Sequence, residues 1–261
     1  MCLILFSYRH HPAYPLVLAA NRDEFYERPT APASFWDDHP HILAGRDLKD
    51  GGTWLGITRS GRMAAITNYR DPRTLRDNAP SRGGLVSGFL RGDVSPGEYI
   101  DAIHPHADRY NGFNLLLGDG TGLFHFSNKT GALSEISPGT HGLSNHLLDT
   151  PWPKVERGKS HLDGVLSGRD PSPGEIFDIL GDTTHPDDRD LPDTGVGLEW
   201  ERVLSSVFIR SDIYGTRSST VILVDQEGTV RFIERSFTSG LAPFETAQFE
   251  LRIPAGAYAP R

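Results

Sequence analysis

The chain opens directly into a hairpin. Its only cysteine stands at residue 2, heading the apolar run Cys2-Leu3-Ile4-Leu5-Phe6, which reads as a buried strand through Tyr8. Pro12 and Pro15 bracket a turn, and Leu16-Val17-Leu18-Ala19-Ala20 reads as the returning strand. In a tight hairpin the end of the second strand lies near the start of the first. The polar stretch Asn21-Arg22-Asp23-Glu24, which follows the second run, is therefore expected close to Cys2.

Turn signals dominate the rest of the chain. With 28 glycines and 19 prolines in 261 residues, the chain favours short strands over long helices. Thr53 to Thr58 and Met63 to Tyr69 flank Arg59-Ser60-Gly61-Arg62 as a second hairpin. Phe113 to Leu117 and Gly122 to Phe126 flank Gly118-Asp119-Gly120-Thr121 as a third. Val203 to Ile209, Ser219 to Asp225 and Thr229 to Arg235 read as a C-terminal meander, with Gln248 to Ile253 as an edge strand. Helix signals cluster in the middle, over Ser81 to Arg91 and Pro153 to Leu166. Ser95-Pro96-Gly97-Glu98 is a capping box opening a helix through Ile103, and Ser172-Pro173-Gly174-Glu175 repeats the pattern for a helix through Leu180. Residues 181–200 are rich in Asp and Pro and read as a surface loop. Hairpins first, helices next and a meander last make an α+β fold with antiparallel sheets and helices on their outer faces. No low-complexity linker divides the chain, so one domain over residues 1–261 is expected.

Composition excludes several functions. The formal net charge is −8, which gives no electrostatic footprint for nucleic acid and no polybasic membrane patch. No window approaches a membrane span, and the short N-terminal apolar run is no signal peptide, so a cytoplasmic location is expected. A single cysteine rules out an intramolecular disulfide and a zinc-thiolate cluster. The pairs His39/His41 and His104/His106 sit in Pro-broken segments without ligand spacing, and surface or capping roles fit them better than a metal. No metal is expected.

Cys2 carries the chemistry. Met1 is expected to be removed, because the residue after it is small. The new terminus then holds a thiol and an α-amine on one residue. An amine of pKa roughly 7.7–8.0 is partly neutral at pH 7 and can take the thiol proton. The competing reading is a small apolar residue that happens to fall second. Arg22 would lower the thiol pKa, and Asp23 could bind the α-ammonium. Adjacent strand residues face opposite ways, so at most one of the two points at Cys2 unless the strand has ended. Asn68, at the end of an apolar strand, is either a turn residue or an oxyanion donor. Asn145 has the same two readings. Arg217, just before a buried strand, either lines the pocket or pairs with Asp225 or Asp23. Trp54 and Trp152 lie beside these segments as core, rim or substrate-pocket residues.

The N-terminal Cys2, Asn21-Arg22-Asp23-Glu24, Gly51-Gly52-Thr53-Trp54-Leu55-Gly56 and Ile66-Thr67-Asn68-Tyr69-Arg70 together resemble one family. So do Phe113-Asn114-Leu115-Leu116, Leu143-Ser144-Asn145 with Pro151-Trp152-Pro153-Lys154, and Tyr214-Gly215-Thr216-Arg217-Ser218. It is the NRDE family, also called transport and Golgi organisation protein 2, and the resemblance spans residues 1 to about 235. It implies a branch of the N-terminal-nucleophile hydrolase fold, a four-layer αββα sandwich of two antiparallel sheets, similar to the bile-salt and penicillin-V amidases. Carried over by position, it implies Cys2 as nucleophile with Asp23, Asn68, Asn145 and Arg217 as catalytic partners. Asn21, Arg22, Trp54 and Trp152 become substrate contacts. The departure is that Arg22 and Asp23 are adjacent here, where the amidases separate them.

Two functions are implied. One is hydrolysis of a small-molecule, non-peptide amide through an acyl-thioester, with no cofactor required. The other, implied by the family, is haem trafficking or lipid and acyl-CoA handling on a hydrolase-like scaffold. There haem would be a bound ligand, with Cys2, His10, His11 or His146 as contacts. The sequence does not decide whether the protein is an enzyme or fix its oligomeric state.

Overall fold

A computed structural model describes residues 2–168, 170–240 and 242–260. Among the described residues, thirteen strands form two antiparallel sheets. The first sheet is built on β1 (Cys2–Tyr8) and β2 (Leu16–Phe25). Beside them lie β10 (Gly139–Leu143), β11 (Tyr214–Val224), β12 (Thr229–Ser236) and β13 (Glu245–Arg252), in the order β10-β1-β2-β11-β12-β13. The second is a sequential meander of β3 (Thr30–Phe35), β4 (Ile42–Asp47), β5 (Leu55–Thr58), β6 (Met63–Asn68), β7 (Phe113–Gly118), β8 (Leu123–Ser127) and β9 (Ala132–Glu135).

Alternation along β1 and β2 sorts their side chains into two cores. Ile4, Phe6, Leu16, Leu18 and Ala20 join the core shared with the second sheet. Leu3, Leu5, Val17 and Ala19 face the other way, onto Val155, Leu162, Ile176 and Leu180. Those belong to α3 (Pro153–Leu166) and α4 (Pro173–Leu180), the helix layer over the first sheet. On the second sheet, α1 (Gly83–Arg91) packs against β4 to β6. α2 (Pro96–Ile103) docks on α1 through Tyr99, edge-on to Phe89. The result is the expected αββα sandwich. No helix among the described residues is long and apolar enough to cross a membrane.

Two helices, α2 and α4, begin at side-chain caps. Ser95 accepts from the Glu98 N–H while Glu98 reaches back to the Ser95 backbone, so the capping box at α2 is complete. At α4, Ser172 accepts from Gly174 instead of completing a box with Glu175.

Strands β3, β4, β9 and β10 lie where the sequence signals marked none, and two marked segments take another form. Asn21 to Glu24 do not follow the second strand; they are its continuation, because β2 is paired on both sides, with β1 and with β11. Val203 to Ile209 is not a strand. A short helix α5 (Leu198–Val203) ends there, and 204–209 is buried irregular chain. Its polar atoms are satisfied locally: Phe208 N–H donates to the Asp182 carbonyl, and Ile209 N–H to Thr216 Oγ1 at 2.9 Å. An apolar run can be buried without ladder pairing when such partners exist.

Candidate active site

At one end of the sandwich a cleft of ≈ 370 Å³ opens between the two sheets and the start of α1. Cys2, Arg22, Trp54, Asn68, Arg82 and Gly83 are among its lining residues. Cys2 pairs in register with Arg22, so the two side chains share the face that looks between the sheets. The arginine, not the aspartate, is therefore on the thiol's side. Its guanidinium lies 4.4 Å from the Trp54 ring centre and donates to Thr30 Oγ1 at 3.1 Å.

Asp23 looks toward the helix layer. Its Oδ1 accepts from Thr216 Oγ1 at 2.7 Å, and its carbonyl accepts from the Tyr214 hydroxyl at 2.8 Å. Burial raises the Asp23 pKa, with the Lys154 ammonium and the Thr216 hydroxyl opposing. Lys154 is itself buried and donates to the Leu204 carbonyl at 2.9 Å. Burial holds its pKa down to about 8. The Cys2 thiol is pushed up by burial and by the Asp23 carboxylate, while Arg22 and a hydrogen bond with the Asp23 backbone favour the thiolate.

The remaining sequence-derived residues divide. Asn68 ends β6 at the cleft wall. Asn145 is fully buried and lines no part of the cleft, but its Nδ2 donates to the Asn68 carbonyl at 3.0 Å. Arg217 sits at a bulge in β11 and donates to the carbonyls of Phe25, Tyr26 and Arg28, pinning the turn after β2 away from the cleft. Asn21 is a core residue. Its Nδ2 donates to the carbonyls of Leu180 and Val207, and its Oδ1 accepts from Ser219 at 2.6 Å. Trp152 packs under Arg70, in a separate small pocket with Lys154 and Glu201. Of the histidines that could contact haem, His10 and His11 line a distant pocket with Asp163, while His146 sits tilted against Tyr69 and Trp152. Among the described residues, no group of three or more His, Cys, Asp or Glu could hold a metal ion.

Sequence reasoning missed Arg82 and the ion cluster at the mouth, where Arg28 holds Asp47 at 2.7 Å and Asp50 at 2.5 Å. The available signal for Arg82 was its place ahead of Gly83-Gly84, since a cation at a helix start opposes the helix dipole.

It also missed Glu234, fully enclosed beside Arg22. Glu234 Oε1 accepts from the Ala33 N–H at 2.7 Å and Oε2 from Thr220 Oγ1 at 3.1 Å, and burial lifts its pKa to about 7. A carboxyl raised in the fold binds its proton more tightly there than in the unfolded chain. That contribution is full below pH 4.5 and is lost as pH rises through about 7. Glu234→Gln still accepts from the Ala33 N–H and turns its amide N–H on Thr220 Oγ1, so both contacts persist, the second reversed, without the charge. We expect it to raise stability at pH 8 on the order of 3 kcal/mol over the natural chain, with little difference near pH 4.5. Urea midpoints at both pH values check this; an offset that does not change with pH overturns it.

Two face-to-face antiparallel sheets between helix layers make the sandwich of the N-terminal-nucleophile hydrolase fold, with a cysteine at the head of a central strand and a cleft at its end. Solved structures agree on the fold. A point mutant of the conjugated bile acid hydrolase from Clostridium perfringens superposes with a TM-score of 0.53 at 9% identity, over 98% of each chain. A Caenorhabditis elegans N-acylethanolamine-hydrolyzing acid amidase ortholog gives 0.51 at 9% identity, over 85% of this chain and 92% of its own. Residues 1–239 match the sequence profile described as Transport and Golgi organisation 2. The Bos taurus Transport and Golgi organization protein 2 homolog is 41% identical over 97% of this chain and 99% of its own length. The chain belongs to the Transport and Golgi organisation 2 family.

Proposed function

We propose that this chain is an amide hydrolase. Cys2, made the first residue by loss of Met1, cleaves a carbon–nitrogen bond in a non-peptide small molecule. The observation that carries this is the Cys2 side chain at the head of β1, opening into the cleft beside Arg22. In the bile acid hydrolase neighbour the residue replaced by alanine is also a cysteine at position two.

The chemistry runs through the thiol and its own amine. The neutral α-amine takes the thiol proton, and Sγ attacks the carbonyl carbon. The tetrahedral oxyanion is held by the Asn68 amide, a contribution of about 2.7–4 kcal/mol for a comparable donor. The C–N bond breaks, the departing amine takes the proton back from the α-ammonium, and the acyl group stays on sulfur as a thioester. Water, deprotonated by the same amine, hydrolyses the thioester to a carboxylic acid and restores the thiol. Asp23 stabilises the ammonium form, and Asn145 positions Asn68 through its carbonyl.

A haem or acyl-chain cargo is less well matched. Trp54, Ile66, Ala79 and Pro80 are the apolar side chains of the cleft, and its charged ones outnumber them, four cations beside carboxylates that include Asp47, Asp50 and Asp77. Intact-mass measurement is expected to show a chain beginning at Cys2, with an acyl adduct on Cys2 after rapid mixing with a cleaved amide. A native protein that keeps Met1 ends this mechanism.

A further inference from the structure

The charged groups of the cleft are unevenly paired. At the mouth, Arg28 is matched by Asp47 and Asp50, with Glu24 at 4.0 Å. Deeper in, Arg22 and Arg82 have no carboxylate within ion-pair distance among the described residues. Arg22 is only 5% exposed, yet among the described residues its guanidinium makes one hydrogen bond, to the uncharged Thr30 hydroxyl. Arg82 donates through Nη1 to the Gly112 carbonyl at 3.0 Å. A guanidinium carries five N–H donors, so both keep donors to spare. The nearby carboxylates act on them only through space: Glu24 and Asp77 line the same cleft without an ion pair to either, and Glu234 faces Arg22 without bonding to it. Asp23 is bonded to Thr216 on the opposite face of β2, and Glu234 to Ala33 and Thr220.

The same corner holds a third positive feature. Arg82 is the cap residue of α1, whose first turn has no acidic residue and whose cap makes no side-chain hydrogen bond. The helix start therefore adds partial positive charge where a cation already stands. Gly52 lies against the backbone of Gly83, where an added Cβ would come within 2.4 Å. That contact seats the loop before β5 on the helix start and closes this side of the cleft. Burying cations without partners is costly unless something else supplies the counter-charge.

We propose that a carboxylate on the substrate supplies it: the cleft binds a small, polar amide whose carboxylate sits on Arg82 and Arg22, next to the bond presented to Cys2. This rests on the reading of Cys2 as the nucleophile. Paired guanidinium–carboxylate hydrogen bonds fix orientation as well as charge. A volume of ≈ 370 Å³ is near the lower end for small-molecule sites and suits a short, charged molecule better than a long acyl chain. Arg82 is then a specificity residue, Arg22 its partner over Trp54.

Cys2 is the only cysteine, so alkylation reports on this site alone. Iodoacetate and iodoacetamide both react with the thiolate and expel iodide; they differ in carrying a carboxylate or a neutral amide. The ratio of their rates therefore cancels the thiol pKa and reads anion preference. In the folded chain the iodoacetate-to-iodoacetamide ratio is expected to exceed that of the urea-unfolded chain by about tenfold, the scale of one charge-assisted hydrogen bond. Arg82→Gln should remove most of that excess, Arg82→Lys should retain part of it, and acetate should protect against iodoacetate. The folded-to-unfolded comparison needs no variant, so a misfolded Arg82→Gln does not spoil the test. A folded ratio equal to the unfolded one overturns the proposal. So does an excess that survives both Arg82→Gln and Arg22→Gln in folded protein. An anion preference without turnover of any amide leaves this subsite standing and removes the hydrolase reading. Turnover indifferent to a carboxylate, with no anion preference, does the reverse.

Discussion

Cys2→Ala lowers turnover of any amide this chain hydrolyses by at least about 10³-fold, the scale seen when a nucleophile is deleted from an otherwise intact site. The fold is expected to survive the change. Cys2 is half-buried at the end of β1, and Ala keeps its Cβ and its place in the ladder opposite Arg22. The loss is therefore chemical. A second change separates the thiol from the amine. A leucine inserted between Met1 and Cys2 prevents removal of Met1, which leaves the sulfur in place but ties its nitrogen into a peptide bond. Hydrolysis should then fall by roughly 10²–10⁴-fold, the worth of a general base, while iodoacetamide still alkylates the thiol. Steady-state rates and alkylation rates of the three proteins check this. Full turnover in Cys2→Ala would remove the nucleophile, and full turnover with the insertion would remove the amine as base.

How much the sequence could reveal depends on how local each signal is. The hairpin that seats Cys2 is written in two apolar runs and two prolines. Its register opposite Arg22 is fixed once the polar stretch is understood as strand rather than loop. That continuation was not legible, because it depends on β11, which pairs with β2 from almost two hundred residues away. The same distance hid the roles of Asn21 and Arg217. Each is polar beside a buried run, which suggests a site, yet each is used up by carbonyls: Leu180 and Val207 for Asn21, Phe25 and Tyr26 for Arg217. Asn145 was legible as a site residue, but not that it reaches the site through the Asn68 backbone carbonyl. Glu234 left no trace at all. A glutamate in an alternating strand reads as solvent-facing, and only the second sheet above it makes the position interior.

Glu201→Ala is expected to destabilise the protein by about 3–5 kcal/mol, the cost of removing one member of a buried ion pair. Glu201 lies on α5, which starts at the end of the 181–200 stretch expected to be surface loop, yet its side chain is 3% exposed and that of Arg70 4%. Glu201 Oε2 accepts from Arg70 Nη1 at 2.7 Å, and Oε1 accepts from both the backbone N–H and the hydroxyl of Thr194. Arg70 in turn donates its backbone N–H to the Asn145 carbonyl at 2.7 Å and lies over Trp152. Asn145 holds the carbonyl of Asn68 at the cleft wall. Removing the carboxylate takes away one of the two anions, with Asp23, that offset the buried cations Arg70 and Lys154, and loosens the anchor of Asn145. The double variant Arg70→Met/Glu201→Leu tests whether the cost is the uncompensated charge. Replacing both partners by apolar groups should recover most of the stability, since a buried pair often only balances its desolvation. It should not recover catalysis, because Asn145 still loses the Arg70 guanidinium that donates to its Oδ1 at 3.4 Å. Urea midpoints and kcat measured on the same three proteins separate the two effects. If the double variant is as unstable as Glu201→Ala, packing rather than charge sets the cost. If its kcat equals that of the natural chain, the path from α5 to Asn68 carries no part of the site's geometry.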